Sequence, residues 1–162
     1  MELYTFPEAP LFDRFKPDPD MTGMTLRQAA KNHIHLLLSD LEILLNTRSP
    51  WPAGVSLPPE AAASVIAYGL PDLGSVSLRN LGDRMEICER VRDAIASFEP
   101  RLSGIVVDDM TEEAASGGNR MSLRIRADLR IDNAIFPLSF ETRLAPLTNQ
   151  LLVQALAGSN MT

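Results

Sequence analysis

Between residues 25 and 46 the apolar positions recur at helical spacing: Ala30, Ile34, Leu37, Leu41 and Leu44 form one stripe, widened by Leu38 and Leu45. Arg27, Lys31, His35, Ser39, Glu42 and Asn46 lie opposite, the two-faced pattern of a helix packed on a core. Thr25, with Gln28 three positions later, gives it a capping-box start. Pro50, Trp51, Pro52 and Gly54 then break the chain. Pro58-Pro59 precede a short apolar stretch, Ala61 to Tyr68, that Gly69 and Pro71 end. The spacing predicts a second helix over about 78 to 98, with Leu81, Met85, Cys88, Val91, Ile95 and Phe98 on its apolar face and Glu86 and Arg90 placed for an i,i+4 pair. Pro100 pushes Glu99 out of the helical region, so that helix stops at Phe98 or Glu99 and turns a sharp corner there.

Beyond the corner the pattern changes to alternation. Ile105 and Val107 predict a first strand, and Thr111 to Asn119, with Glu112, Glu113 and Gly117-Gly118, reads as a hairpin loop. Met121, Leu123, Ile125, Ala127, Leu129 and Ile131 then alternate with Ser122, Arg124, Arg126, Asp128, Arg130 and Asp132, a long strand with one wet face. Phe136, Leu138, Phe140 and Leu144 continue after a turn at Asn133-Ala134. A two-residue turn there sets Leu129 against Leu138, Ala127 against Phe140 and Arg126 against Glu141. Pro137 marks that strand as an edge or as locally irregular. The stretch from Leu147 to Leu156 reads as a last strand or a short helix, and Asn149 to Val153 favours the strand. The predicted class is α+β: N-terminal helices packed on an antiparallel sheet of three to four strands.

With 162 residues, 45% of them hydrophobic and 22% charged, the chain falls in the globular class. A domain of roughly 150 residues buries about 68 to 70% of its unfolded surface, enough for a core without staples. We expect a single domain over 25–156, preceded by an extended arm over 1–24 and followed by a short tail over 157–162. The arm carries Pro7, Pro10, Pro17 and Pro19 among Phe6, Phe12 and Phe15, so it lies on its own domain or on a partner. The lone Cys88 excludes an internal disulfide, and neither a signal peptide nor a membrane span is legible. The expectation is a cytoplasmic protein, monomeric alone, without direct membrane insertion. A formal charge of −6 disfavours nucleic acid as a partner.

Candidate chemistry is sparse. A glycosidase needs two carboxylates about 5 to 9.5 Å apart with one held neutral. Asp108-Asp109 and Glu112-Glu113 are the obvious clusters, but they fall at or in the hairpin loop, where water keeps them ionised. His33 and His35, two apart, diverge by roughly 200° on a helix and cannot share a metal. Cys88 sits on an apolar stripe, where a thiol is inert. No Walker loop, GxGxxG, GxSxG, SxxK or HExxH string is present. No catalytic residue, metal ligand or cofactor is assigned, and the chain is read as not an enzyme.

Three strings carry a resemblance. Asp40-Leu41-Glu42 runs into Leu44-Leu45-Asn46-Thr47-Arg48, Tyr68-Gly69-Leu70-Pro71-Asp72-Leu73 follows, and Phe98-Glu99-Pro100-Arg101-Leu102 stands at the corner. In this order, over roughly residues 25 to 145, they resemble the TssE family, the gene-25-like baseplate subunits of bacterial type VI secretion systems and contractile phage tails. The resemblance implies a structural protein that sits on the wedge formed by TssF and TssG, within a complex with TssK, and offers its sheet as a template on which the TssB/TssC sheath begins. It also implies that Glu99, Pro100 and Arg101 dock on the wedge; an internal Glu99–Arg101 ion pair is the competing reading of the same residues. Arg124, Arg126 and Arg130 are further partner-binding candidates or simply a solvated sheet face. A sheet with an open edge can take a partner strand through main-chain hydrogen bonds, and the candidate edges are the strand near Leu138 to Leu144, the strand near Ile105, and Asn149 to Val153. The alternative function is a peptidoglycan-cleaving, lysozyme-like enzyme, the activity in the family's older label.

Overall fold

The structure, a computed structural model, describes residues 26–51, 55, 57–62, 64–73, 77–111, 121–131, 134–145 and 150–155. The sequence readings for Thr25, the N-terminal arm, Glu112-Glu113 and the tail lie outside them. Helix α1 spans Leu26–Asn46, α2 is a single turn at Pro59–Ala62 followed by a 3-10 turn at Val65–Ala67, and α3 spans Leu81–Phe98. Strands β1 (Leu102–Asp109), β2 (Met121–Ile131), β3 (Ala134–Ala145) and β4 (Gln150–Ala155) form one antiparallel sheet in the order β1-β2-β3-β4. The α+β expectation holds, with helices N-terminal to the sheet.

The two long helices lie on one face of the sheet, α3 over β1 and α1 over β4, and touch each other. Between the layers sit Leu37, Leu41, Ile87, Val91, Ile95, Leu123, Ile125 and Phe140, all essentially inaccessible to water. At about 25 cal/mol per Å² of apolar surface removed from water, this layer is the main source of stability. The alternation along β2 puts Met121, Leu123, Ile125, Ala127 and Leu129 in the core and leaves Arg126, Asp128 and Arg130 exposed on the far face.

Three expectations are corrected. Leu81 and Met85 do not join the apolar face of α3; both are more than half exposed, and the buried stripe is Arg84, Ile87, Val91, Ala94 and Ile95. A charged residue occupies the inward position because Asp109 of β1 meets it there, Arg84 Nε lying 2.8 Å from Asp109 Oδ2. The helix also starts later than predicted. Asn80 caps it by accepting the Gly82 N–H at 3.0 Å, and Asp83 reaches back to the Ser77 N–H at 3.1 Å.

The β2–β3 register differs by two residues from the predicted one: Leu129 faces Phe136, Ala127 faces Leu138, and Arg124, not Arg126, faces Glu141. A slip of two keeps every side chain on its face, so the apolar pattern alone does not separate the two registers. Ile131 pairs with Ala134, which therefore belongs to β3 and not to the turn. The third correction concerns edges. The segment Phe140–Ala145 is interior, paired with β4, so the edge strands are β1 and β4. Pro137 is tolerated because the β4 ladder begins only at Phe140, so no described strand needs its missing N–H from that side.

Thr142 of β3 is fully buried, and its Oγ1 has no hydrogen-bond partner among the described residues. An unsatisfied buried hydroxyl costs about 1 to 3 kcal/mol. Thr142→Val is therefore expected to raise stability by about 1 kcal/mol, read as a higher urea midpoint with an unchanged slope.

Candidate functional site

All three strings meet in one corner of the molecule. Helix α3 ends because Glu99, at φ −122° and ψ 82°, leaves helical geometry while its N–H still bonds to Ile95 O at 2.9 Å. Glu99 O accepts the Leu102 N–H at 3.1 Å, closing a tight turn through Pro100, whose ring presets the bend. The turn folds Arg101 back over the helix end. Its Nε donates to Glu99 Oε1 at 2.6 Å, its Nη2 donates to Glu99 Oε2, and its backbone N–H donates to Glu99 Oε1 at 3.2 Å. The same Nη2 donates to Asp40 Oδ2 of α1 at 2.6 Å. One guanidinium therefore ties α1, the C-terminus of α3 and the start of β1. Its planar fork is suited to such a task and an ammonium is not.

The corner grades from buried to open: the side chain of Glu99 is 7% exposed, that of Arg101 30%, and that of Asp40 36%. Hydrogen bonding from Glu99 and then Asp40 raises the Arg101 pKa, although partial burial works against it. The ring of Tyr68 meets Phe98 edge-on, with centroids 5.2 Å apart. Burial and the charges of Asp40 and Glu99 push the Tyr68 phenol up, so it stays a neutral hydroxyl beside two carboxylates. Both readings of the Glu-Pro-Arg string meet here. The ion pair is internal, and Arg101 and Asp40 still present part of their surface outward.

The middle string is held to the end of α1 by main chain. Leu70 N donates to Thr47 O at 2.9 Å, and Ser49 N donates to Leu70 O at 2.8 Å. Gly69 makes the approach possible: its φ is +105°, and a Cβ there would stand 2.3 Å from Thr47 O. Asn46 performs a task that the sequence reading missed by placing it on the solvated side of α1. Its Oδ1 accepts the Leu151 N–H at 2.8 Å and its Nδ2 donates to Leu151 O at 2.9 Å, so the carboxamide imitates a neighbouring strand. Asp40 enters the sequence reading only as part of the first string, and its bond to Arg101 is visible only in the fold.

The arginine stripe is divided. Arg124 pairs with Glu141 at 2.9 Å, and Arg126 pairs with Asp108 at 2.8 Å. Both are cross-strand ion pairs on the outer face, worth little on an exposed surface. Arg130 forms no ion pair among the described residues, and its N–H donates to Arg101 O at 3.0 Å, which brings it to the corner. Asp108 and Asp109 end β1 and do not lie in a loop. They serve opposite faces, Asp108 with Arg126 and Asp109 with the buried Arg84. The thiol of Cys88 is pushed up to about 11, first by burial and then by Asp109 and Asp108. Among the described residues no three His, Cys, Asp or Glu side chains are grouped to hold a metal ion, and no helix is long and apolar enough to cross a membrane.

The class these residues define is a two-layer α+β domain whose charged corner joins both helices to the sheet. The model of the baseplate wedge protein gp25 family matches residues 31–134, which include all three strings. The chain belongs to that family, whose members are structural baseplate components. Searches of curated proteins and of solved structures returned no match.

Removing Arg101 leaves Glu99 buried without its partner. Arg101→Ala is therefore expected to cost about 2 to 3 kcal/mol in chemical denaturation. Adding Glu99→Gln to that variant is expected to restore part of the loss. Equal stability of Arg101→Ala and wild type would show that the triad is decorative.

Proposed function

We propose that this protein is the TssE-type scaffold of a type VI secretion baseplate, acting in the cytoplasm. It docks on the wedge subunits TssF and TssG, in a complex that includes TssK, and its sheet templates the first ring of TssB/TssC sheath. The observation that carries this reading is the convergence of all three strings on one rigid, partly exposed corner within a chain of the baseplate wedge family. A corner whose side chains are locked by their own hydrogen bonds docks with little loss of side-chain entropy.

The corner holds two carboxylates against one guanidinium, so it offers a partner net negative charge at Asp40, with Arg130 as a cationic neighbour. Partner basic groups are the natural complement to Asp40. Arg124 and Arg126 contribute through the face they build with Glu141 and Asp108, and are not free charges.

Arg101→Ala disturbs the fold and is a poor probe of docking by itself. Asp40→Asn removes the most exposed charge of the corner and leaves the Glu99–Arg101 fork in place. We expect the wild-type chain to co-purify with TssF and TssG, and Asp40→Asn to bind roughly tenfold more weakly, a change of about 1.4 kcal/mol, with its melting curve nearly unchanged. Equal affinity of the two would move the docking site away from this corner.

A further inference from the structure

Large apolar side chains stand in water along one flank of α1 and the loop that follows it. Leu36, Asp40, Ile43 and Thr47 succeed one another at spacings of four, three and four, so they line one flank beside the buried stripe of the helix. Ile43 is 57% exposed there. The chain returns to this flank at Gly69, whose close approach to Thr47 brings Tyr68 within the field of Asp40. The 3-10 turn Val65–Ala67 leads directly into Tyr68, and in it Val65 is 84% and Ile66 49% exposed. No other large apolar side chain among the described residues is as exposed as Val65.

The backbone that carries these side chains is bonded at successive turns. Ala61 and Ala62 donate to Pro58 O at 3.0 and 2.9 Å, Ser64 Oγ donates to Ala61 O at 2.8 Å, Ala67 N donates to Ser64 O at 3.0 Å, and Tyr68 N donates to Val65 O at 3.2 Å. Burying a valine and an isoleucine is favourable, yet this ordered turn holds both in water. Single exposed apolar residues are ordinary, whereas a group of them on one ordered flank marks a contact surface. Acids accompany the group. Asp40 keeps part of its surface open, and Glu60, exposed in the α2 turn just before, forms no ion pair among the described residues.

We propose that Ile43, Val65 and Ile66 are an apolar anchor that enters a pocket on a different protein, a pocket whose rim carries Lys or Arg to meet Asp40 and Glu60. The proposal rests on the docking reading above and adds the apolar half of that contact. Charge selects this occupant over the two that the chain itself could supply. A second copy carries the same acids and a net charge of −6. The segment 1–24 sets Glu2, Glu8, Asp13, Asp18 and Asp20 against Arg14 and Lys16 alone, so it is acidic too. Like charge disfavours both, and a basic rim is the complement. A turn already ordered loses little conformational freedom on docking.

The test uses the full chain with the purified TssF–TssG pair. The double variant Val65→Ser with Ile66→Ser is compared with wild type and with Ile135→Ser, which removes an equally open apolar side chain, 63% exposed, from the far face of the sheet. The double variant is expected to bind about tenfold more weakly with an unchanged melting curve, and Ile135→Ser to bind like wild type. Hydroxyl-radical labelling of the wild type is expected to fall at Val65 and Ile66 on complex formation, a reading that needs no variant. Undiminished labelling in the complex, or full affinity of the double variant while Asp40→Asn binds weakly, overturns the anchor and leaves the charged corner as the docking site. Self-association of the wild type that the double variant abolishes assigns the anchor to a second copy and overturns the proposal. Low labelling in the free chain that rises when residues 1–24 are removed assigns it to that segment, with the same consequence. If wild type does not bind TssF–TssG at all, the docking reading falls and takes the proposal with it.

Discussion

The Arg101 guanidinium is the constraint on which the arrangement of layers depends. Two helices lying on a sheet are fixed by apolar packing only approximately, because burial is non-directional. Direction comes from bonds that reach across elements. Arg101 reaches Glu99 at the end of α3 and Asp40 in the middle of α1 while its own main chain begins β1 and accepts from Arg130 of β2. Four elements are thereby referred to one residue, two of them through its guanidinium and two through its main chain. Arg84 with Asp109 does the same at the other end of α3 and β1, and Asn46 with Leu151 does it for α1 and β4. Each edge of the sheet is thus tied to the helix above it by a side chain of fixed geometry.

This construction suits a structural part better than a catalyst. A scaffold must present surfaces at set angles, and charged hydrogen bonds between elements set angles at a modest net gain in stability. Among the described residues, the acids that the sequence offers as catalytic candidates have structural partners. Asp108 and Asp109 are divided between the two faces of the sheet, and Glu99 is bound by a fork of three donors from Arg101. The family assignment and the geometry point the same way.

Much of the architecture was legible in the sequence because two periodicities, one helical and one alternating, divide it near Pro100. The extent of α1 and the faces of β2 follow the apolar spacing, and the end of α3 follows from Pro100. What escaped was polar. In the N-terminal half of α3 the apolar spacing points Leu81 and Met85 inward, whereas the buried position belongs to Arg84, and the β2–β3 register differs by two because shifts of even length leave the apolar pattern intact. Asn46 looked like one more solvated position on α1, and only its distance to Leu151 reveals its task. At the site, Glu99, Pro100 and Arg101 were found as a string, whereas Asp40, which completes the triad, is some sixty residues away in the chain and no local pattern connects the two.

The central claim is that this domain is a part on which a sheath begins, and sheath initiation measures it most directly. Baseplates reconstituted with and without the chain would be supplied with TssB–TssC and the sheaths growing from them counted by electron microscopy. The account predicts that sheaths start on complete baseplates and that initiation is lost when the chain is left out. Equal initiation in its absence, with the other subunits assembled, would contradict it.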